Sequence, residues 1–166
     1  MSDGAFDPLR MLDVLRRHEV RFVMIGGLAG RLWGSPSVTN DMDVCYARDS
    51  ANLKHLAEAL QELDARLRGV SDDVPFLLDE RTLSAGDHFM FVTDAGNLDC
   101  LGTPAGTKGY DDLARTAEEM GIGDHQIKVA AIEDLIRMKL ASGRAKDRIE
   151  VEILGAVREE IERGDG

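Results

Sequence analysis

Two aspartates separated by one residue, Asp41 and Asp43, lie in a short apolar segment and could hold a metal ion. Residues two apart in a strand point to the same face of a sheet, so both carboxylates should project together. Like charges this close repel each other, and a hard divalent cation such as Mg²⁺ or Mn²⁺ would relieve the repulsion and also accept phosphate oxygens. The pair therefore predicts a metal site for a phosphorylated ligand.

A pair of glycines, Gly26 and Gly27, follows the apolar run 22–25 and precedes a helical pattern over 28–33. Glycine has no side chain, so the backbone there can approach a phosphate closely. The start of the following helix offers unpaired N–H groups and the positive end of its dipole to that anion. We therefore expect a phosphate cradle and a metal holder within one short stretch.

The elements that must position these groups follow the pattern of an α/β protein, with a small mixed sheet flanked by helices and a helical C-terminal part. Strands over Arg21–Ile25, Asp41–Tyr46 and Asn97–Leu101 are expected to be adjacent in the sheet. Apolar periodicity and turn residues predict the remaining elements: helices over 8–18, 50–67, 110–120, 132–141 and from 144 onward, and strands over 75–78, 88–92 and 126–130.

A third carboxylate, Asp99, lies within the second strand of a predicted hairpin, between Leu98 and Cys100. A buried aspartate in an apolar strand needs a partner. Two interpretations remain open from the residues alone: Asp99 joins the metal site, or it lies on the exposed face of the hairpin.

The order of apolar strand, Gly26-Gly27, thirteen intervening residues and Asp41-Met42-Asp43-Val44 resembles the polymerase-beta-like nucleotidyltransferase superfamily. The resemblance implies an NTP substrate with Mg²⁺ or Mn²⁺, and Asp99 as the third carboxylate. It also implies that Thr39 contacts the nucleotide, while Ser37 stands where relatives often carry an arginine.

The C-terminal run 129–141, followed by Arg144-Ala145-Lys146-Asp147, resembles a narrower group. These are bacterial nucleotidyltransferase-like toxins of type IV toxin–antitoxin (abortive infection) systems; small antibiotic nucleotidyltransferases share the N-terminal pattern. The resemblance implies that Lys139 and Arg144 bind the triphosphate, which suits a point charge and a planar fork.

The basic residues of this run need partners when no nucleotide is bound. For Lys139 we expect one of the three aspartates of the metal site to be the ion-pair partner. The other basic residues are expected to pair with acidic neighbours at helical spacing: Arg137, Lys146 and Arg148.

Length and composition predict one domain over residues 1–166, with a core over about 8–105 and a helical part over about 108–164. A net charge of −11 argues against a broad nucleic-acid surface. No apolar run is long enough to span a membrane, and the first residues lack the features of a signal peptide, so a cytoplasmic protein is expected. The two cysteines, Cys45 and Cys100, are expected to be free thiols.

Two functions are consistent with these features. The first is an enzyme that moves a nucleoside monophosphate from an NTP to the hydroxyl of a small molecule, a tRNA or a protein. The second is a non-catalytic protein of the same fold, acting as a regulatory or toxin–antitoxin component with an antitoxin partner.

Overall fold

A seven-stranded mixed sheet forms the centre of the computed structural model, which describes residues 5–71, 73 and 76–164. The elements follow one another along the chain as α1 (Pro8–Arg17), β1 (Phe22–Ile25), α2 (Gly26–Trp33), β2 (Asp41–Tyr46), α3 (Ser50–Glu62), β3 (Arg66–Leu67), α4 (Glu80–Ala85), β4 (His88–Thr93), β5 (Gly96–Leu101), α5 (Tyr110–Thr116), β6 (Glu118–Ile122), β7 (His125–Val129), α6 (Ile132–Ser142) and α7 (Ala145–Gly164). The predicted α/β class is confirmed.

The strand order in the sheet is β3-β4-β5-β2-β1-β7-β6. Strand β2 lies between β1, to which it is antiparallel, and β5, to which it is parallel. The three strands predicted to be adjacent are therefore adjacent. The register places Ile25 and Asp99 directly beside Asp43, one on each neighbouring strand.

The residues that alternate with the carboxylates along β2 and β5 belong to the hydrophobic core. Met42, Val44, Leu98 and Cys100 are fully buried, and the apolar sides of α1 and α3 belong to the same core cluster. Both helices begin at an aspartate whose carboxylate accepts a backbone N–H of the first turn, Asp7 for α1 and Asp49 for α3. Packing of these residues in the core fixes which side chains of β2 and β5 point to each face of the sheet. Because side chains alternate along a strand, the aspartates lie on the opposite face.

Helix α3 is shorter than its apolar periodicity predicted, because the chain leaves the helix at Leu63. Asp64 has a positive φ of 53°, and residues 66–67 then pair with β4 as strand β3. The prediction of one continuous helix to residue 67 was wrong. The leucine spacing is that of a helix, but the segment is divided into a helix, a turn and an edge strand.

Two further elements differ from the predicted ones. The helix predicted over 110–120 ends at Thr116, and residues 118–122 form β6, which pairs with β7 through a turn at Gly123 with φ of 58°. No strand forms over 76–78, and the preceding position 75 lies outside the described residues.

Both cysteines are buried free thiols, as predicted. Within the described part of the chain, no helix combines the length and the apolar character that crossing a membrane requires.

Candidate active site

Three carboxylates come together on one face of the sheet where β2 and β5 run side by side. Asp43 faces Asp99 across the parallel pair, and Asp41 is one strand period away on the same face. One oxygen from each of the three lies within 4.8 Å of the others. The strand pairing thus brings together the three aspartates that the sequence singled out.

Gly26 is required by the packing of Asp43. Gly26 has a φ of +74°, and a Cβ placed on it would lie 2.0 Å from Oδ2 of Asp43 and 2.7 Å from its Cγ. No residue with a side chain fits this space. The carboxylate of Asp43 therefore lies directly against the backbone that begins α2, and no side chain caps that helix start.

Asp43 carries a strongly perturbed acid group. Burial raises the pKa of Asp43 to about 7, and the charges of Asp41 and Asp99 add to the effect, while the charge of Lys139 opposes it. Near neutral pH and without a cation, a proton is therefore bound to Asp43 in part of the molecules. A cation at this position would displace that proton.

Thr39 connects the glycines to the first aspartate. Its Oγ1 donates to the backbone oxygen of Asp41 at 3.1 Å and lies 3.4 Å from Oδ1 of the same residue. A Cβ on Gly27 would come within 3.0 Å of this hydroxyl. In this structure Thr39 orients Asp41 and packs on the start of α2.

A basic cluster lies opposite the carboxylates, at the junction of α6 and α7. Lys139 Nζ lies 3.3 Å from Asp147 Oδ1, and Arg144 Nε donates to Asp147 Oδ2 at 2.8 Å. The hydroxyl of Ser142 donates to the same carboxylate. Asp147 is 1% exposed, so the two cations share one buried counterion.

The expectation that an aspartate of the metal site pairs with Lys139 was wrong, because Asp147 is its ion-pair partner. Burial alone would raise the pKa of Asp147, but the hydrogen bonds from Ser142 and Arg144 and the charge of Lys139 lower it to about 2. Asp147 is thus ionised over the physiological range.

A cavity of about 320 Å³ joins the two clusters. Asp43 and Asp99 lie on one wall, and Lys139, Ser142 and Arg144 lie on the other. The remaining lining is largely apolar and comes from the sheet, the loop after β5 and the last two helices: Ile25, Met90, Leu101, Pro104, Ala105, Leu135, Met138 and Leu154.

The other basic residues of the C-terminal run behave differently from one another. Arg137 pairs with Asp112 at 3.2 Å and with Asp134 at 3.1 Å, which ties α6 to α5. Lys146 and Arg148 are exposed and form no ion pair within the described residues. The predicted pairing along the helix therefore holds for Arg137 only.

Ser37, the position where relatives often carry an arginine, lies beside the start of α7. Its hydroxyl donates to the carboxylate of Glu150, and its backbone oxygen accepts from Arg31 Nη1 at 2.9 Å. Glu150 also lines the cavity. The loop before β2 is thereby fastened to α2 and α7 without an arginine at position 37.

Two residues of the site escaped the sequence reasoning. Arg68 Nη2 donates to Asp99 Oδ1 at 2.6 Å, and His88 lines the cavity one strand away from Asp99. Arg68 was missed because its segment resembled the end of a helix. His88 gave no signal, since a lone histidine in a strand has no metal-ligand spacing.

The donor set fits a small divalent cation. Three carboxylates supply hard oxygen ligands, their oxygens are close enough to share one ion, and Lys139 lines the same cavity.

Comparisons with known proteins show the fold of this chain. No protein-family model matches the sequence, and no curated protein matches it. Among solved structures, the lincosamide antibiotic adenylyltransferase LnuA, in its lincomycin-bound form, has a TM-score of 0.57 at 14% identity, covering 93% of this chain and 99% of LnuA. A candidate nucleotidyltransferase from Thermotoga maritima has a TM-score of 0.54 at 16% identity, covering 96% and 97% of the two chains.

The antibiotic-resistance factor ANT(2'')-Ia has a TM-score of 0.56 at 14% identity, covering 94% of this chain and 89% of that protein. These matches span nearly the whole chain, so the predicted nucleotidyltransferase fold is confirmed. They lend no support to an antitoxin partner.

Proposed function

We propose that this protein, which has the nucleotidyltransferase fold, is a metal-dependent enzyme that transfers a nucleoside monophosphate from an NTP to an acceptor hydroxyl. The observation that carries the proposal is the cavity itself. Acidic metal ligands, a helix start without a side-chain cap and a cationic wall all meet there. A triphosphate with its cation has complementary charge to both walls.

The residues divide the chemistry between them. Asp41 and Asp43 would hold Mg²⁺ or Mn²⁺, which when bound polarises the α-phosphate and neutralises charge on the pyrophosphate. The N–H groups at Gly26 and Gly27 bind the triphosphate. Lys139 and Arg144 stabilise the negative charge that develops on the leaving pyrophosphate.

In the transfer step, the acceptor oxygen forms a bond to the α-phosphorus and the bond from that phosphorus to the pyrophosphate oxygen breaks. The hydroxyl proton leaves the acceptor oxygen in the same step. Asp99 lies beside Asp43 on the cavity wall and has two possible roles: it binds a second cation, or it takes that proton.

A small-molecule acceptor fits this site better than a long nucleic acid. Two of the matched structures have a small antibiotic or its adenylylated form in their names: lincomycin for LnuA and adenylyl-2''-tobramycin for another structure of ANT(2'')-Ia. The chain carries a net charge of −11, and its cavity of about 320 Å³ is lined largely by apolar side chains. Both features disfavour a polyanionic acceptor.

The competing function is a non-catalytic protein of the same fold, favoured by Ser37 in place of an arginine. In this structure the hydroxyl of Ser37 donates to Glu150, and Ser37 is not among the residues that line the cavity. The presence of three carboxylates on one face favours the enzyme, because a binding protein has no need to keep Asp43 buried beside two like charges.

The test is transfer of label from NTPs. The protein is incubated with each NTP labelled at the α-phosphate, with Mg²⁺ and a metabolite extract, and the labelled product is identified by chromatography and mass spectrometry. Label at the γ-phosphate should appear only in pyrophosphate.

One variant tests the assignment of the site, and a second variant is the control. Asp43→Asn should abolish transfer, while Asp13→Asn, which removes a surface carboxylate paired with Arg17, should transfer like the parent. Equal transfer by Asp43→Asn and the parent would refute the assignment of the site. Binding of NTP without transfer to any acceptor, under all four nucleotides, would favour the non-catalytic function.

A further inference from the structure

Arg68 follows β3 and reaches across β4 to the third carboxylate of the site. Its backbone N–H donates to the oxygen of Met90 at 2.8 Å, and its Nη2 donates to the oxygen of Phe91 at 3.0 Å and to Asp99 Oδ1 at 2.6 Å. The side chain of Arg68 is 27% exposed and that of Asp99 is 13% exposed. A short ion pair this sheltered is screened little by salt, so Arg68 is a fixed part of the carboxylate cluster.

Arg68 reaches Asp99 from the β3 side of the sheet, across Met90 of β4. Asp99 lines the cavity together with Met90, its neighbour on β4, whereas Arg68 is not part of the lining. The guanidinium engages one oxygen of Asp99, Oδ1. The second oxygen of Asp99 carries no hydrogen bond from Arg68.

The charge of Arg68 is permanent. A guanidinium cannot be deprotonated in a protein, so the repulsion between Arg68 and any other cation at Asp99 cannot be relieved by loss of a proton. Two like charges a few ångströms apart in a sheltered site repel strongly. A divalent cation on the free oxygen of Asp99 would have to overcome that repulsion.

We infer that Arg68 takes the place at Asp99 that a second divalent cation would otherwise occupy. The inference rests on the proposed function and decides between the two roles left open there. The site then binds one divalent ion, on Asp41 and Asp43, and Asp99 takes the proton of the acceptor hydroxyl on its free oxygen. Arg68 is a positioning residue, since it acts through Asp99.

The step balances with one cation. The acceptor oxygen bonds to the α-phosphorus, pyrophosphate departs with the electron pair of the broken bond, and the proton passes from the hydroxyl to Asp99. The ion pair with Arg68 fixes which oxygen of Asp99 receives it and keeps that oxygen free of metal.

The number of bound ions tests the inference directly, without knowledge of the acceptor. Mn²⁺ is titrated into the protein with a non-hydrolysable NTP analogue, and free Mn²⁺ is measured by electron paramagnetic resonance. The parent should bind one Mn²⁺ per chain. Arg68→Gln should bind two, and its affinity for the second Mn²⁺ should exceed the parent's affinity for a second ion at least tenfold. Arg68→Lys, which keeps the charge, should bind one.

A matched control removes the same charge elsewhere. Arg10→Gln deletes an arginine that pairs with Asp94 on the surface, and it should bind one Mn²⁺ like the parent. This control separates a local effect at Asp99 from a general change in net charge. A purely structural role for Arg68 predicts the same count in every folded variant.

The outcomes separate this inference from the proposed function. Two Mn²⁺ of similar affinity in the parent, or one in a folded Arg68→Gln, would overturn the inference and leave the proposed function standing. Absence of any Mn²⁺ binding in the parent would overturn both. If Arg68→Gln does not fold, the counts for the parent and for Arg68→Lys decide, since two ions in either contradict the inference.

Discussion

Replacement of Gly26 by alanine should damage stability and ligand binding together. Gly26 has a φ of +74°, a region that costs an L-residue about 1–2 kcal/mol. The added Cβ would also lie 2.0 Å from Oδ2 and 2.8 Å from Cβ of Asp43, so the carboxylate and its strand must move. We expect a total loss of about 1–3 kcal/mol in the free energy of unfolding.

For a chain of 166 residues, that loss corresponds to a fall in Tm of about 3–10 °C. Because Asp43 must leave its position, the affinity for Mn²⁺ with a non-hydrolysable NTP should fall at least tenfold, which is about 1.4 kcal/mol. Thermal unfolding followed by circular dichroism gives the first quantity, and calorimetric titration gives the second.

The matched control is Gly155→Ala, within α7, where a new Cβ meets nothing within 4 Å. Alanine is the better helix former, so Gly155→Ala should raise stability by up to about 1 kcal/mol and leave binding unchanged. If Gly26→Ala melts and binds like the parent, the close packing of Asp43 on Gly26 is not what holds the site together.

Three further predictions follow from the charged groups of the cavity. The pKa of Asp43 is raised to about 7 from an ordinary value near 4, so the stabilisation from its protonated form is present below about pH 4 and is lost as the pH rises through 7. Thermal stability of the parent in a metal chelator should fall over that window, and parallel pH curves for the parent and Asp43→Asn would contradict this. Lys139→Ala should weaken NTP binding by about one to two powers of ten at low salt, whereas Lys146→Ala should bind like the parent; calorimetric titration of both variants decides. The pKa of Asp147 is lowered to about 2, so its ionised form stabilises the fold by about 2 kcal/mol above pH 4, and this is lost as the pH falls toward 2. Asp147→Asn should therefore be less stable than the parent in urea at pH 7 and close to it at pH 2, and an equal difference at both pH values would show a loss unrelated to charge.

The part of the site that was predictable depends on local rules. Strand parity placed Asp41 and Asp43 on one face, and the apolar residues between and after them fixed which face is buried. The same rule applied to Asp99 once β5 was recognised as a strand. The parallel pairing of β2 with β5 then brings Asp43 and Asp99 side by side, and the resemblance to known nucleotidyltransferases implied that neighbourhood.

The part that was not predictable depends on where one helix ends. Arg68 reaches Asp99 only because the chain turns at Asp64 and residues 66–67 pair with β4. The leucine spacing of the segment is equally consistent with a longer helix, which would place Arg68 elsewhere. No local signal distinguishes the two outcomes, since the pairing with β4 is a tertiary interaction.

Each charged cluster of the site has its own counterion next to the cavity, and this has a consequence for ligand binding. Arg68 neutralises charge on the acidic wall, and Asp147 neutralises charge on the wall that carries Lys139 and Arg144. Asp99, Lys139 and Arg144 therefore have ion-pair partners before any ligand binds. A triphosphate therefore meets side chains that are already ordered, and less of its binding energy is lost to ordering them. The attraction between Lys139 and the phosphate is weaker in return, because Lys139 also interacts with Asp147. Binding should accordingly respond more to the loss of Lys139 than to added salt, since the buried Asp147 keeps the cation sheltered.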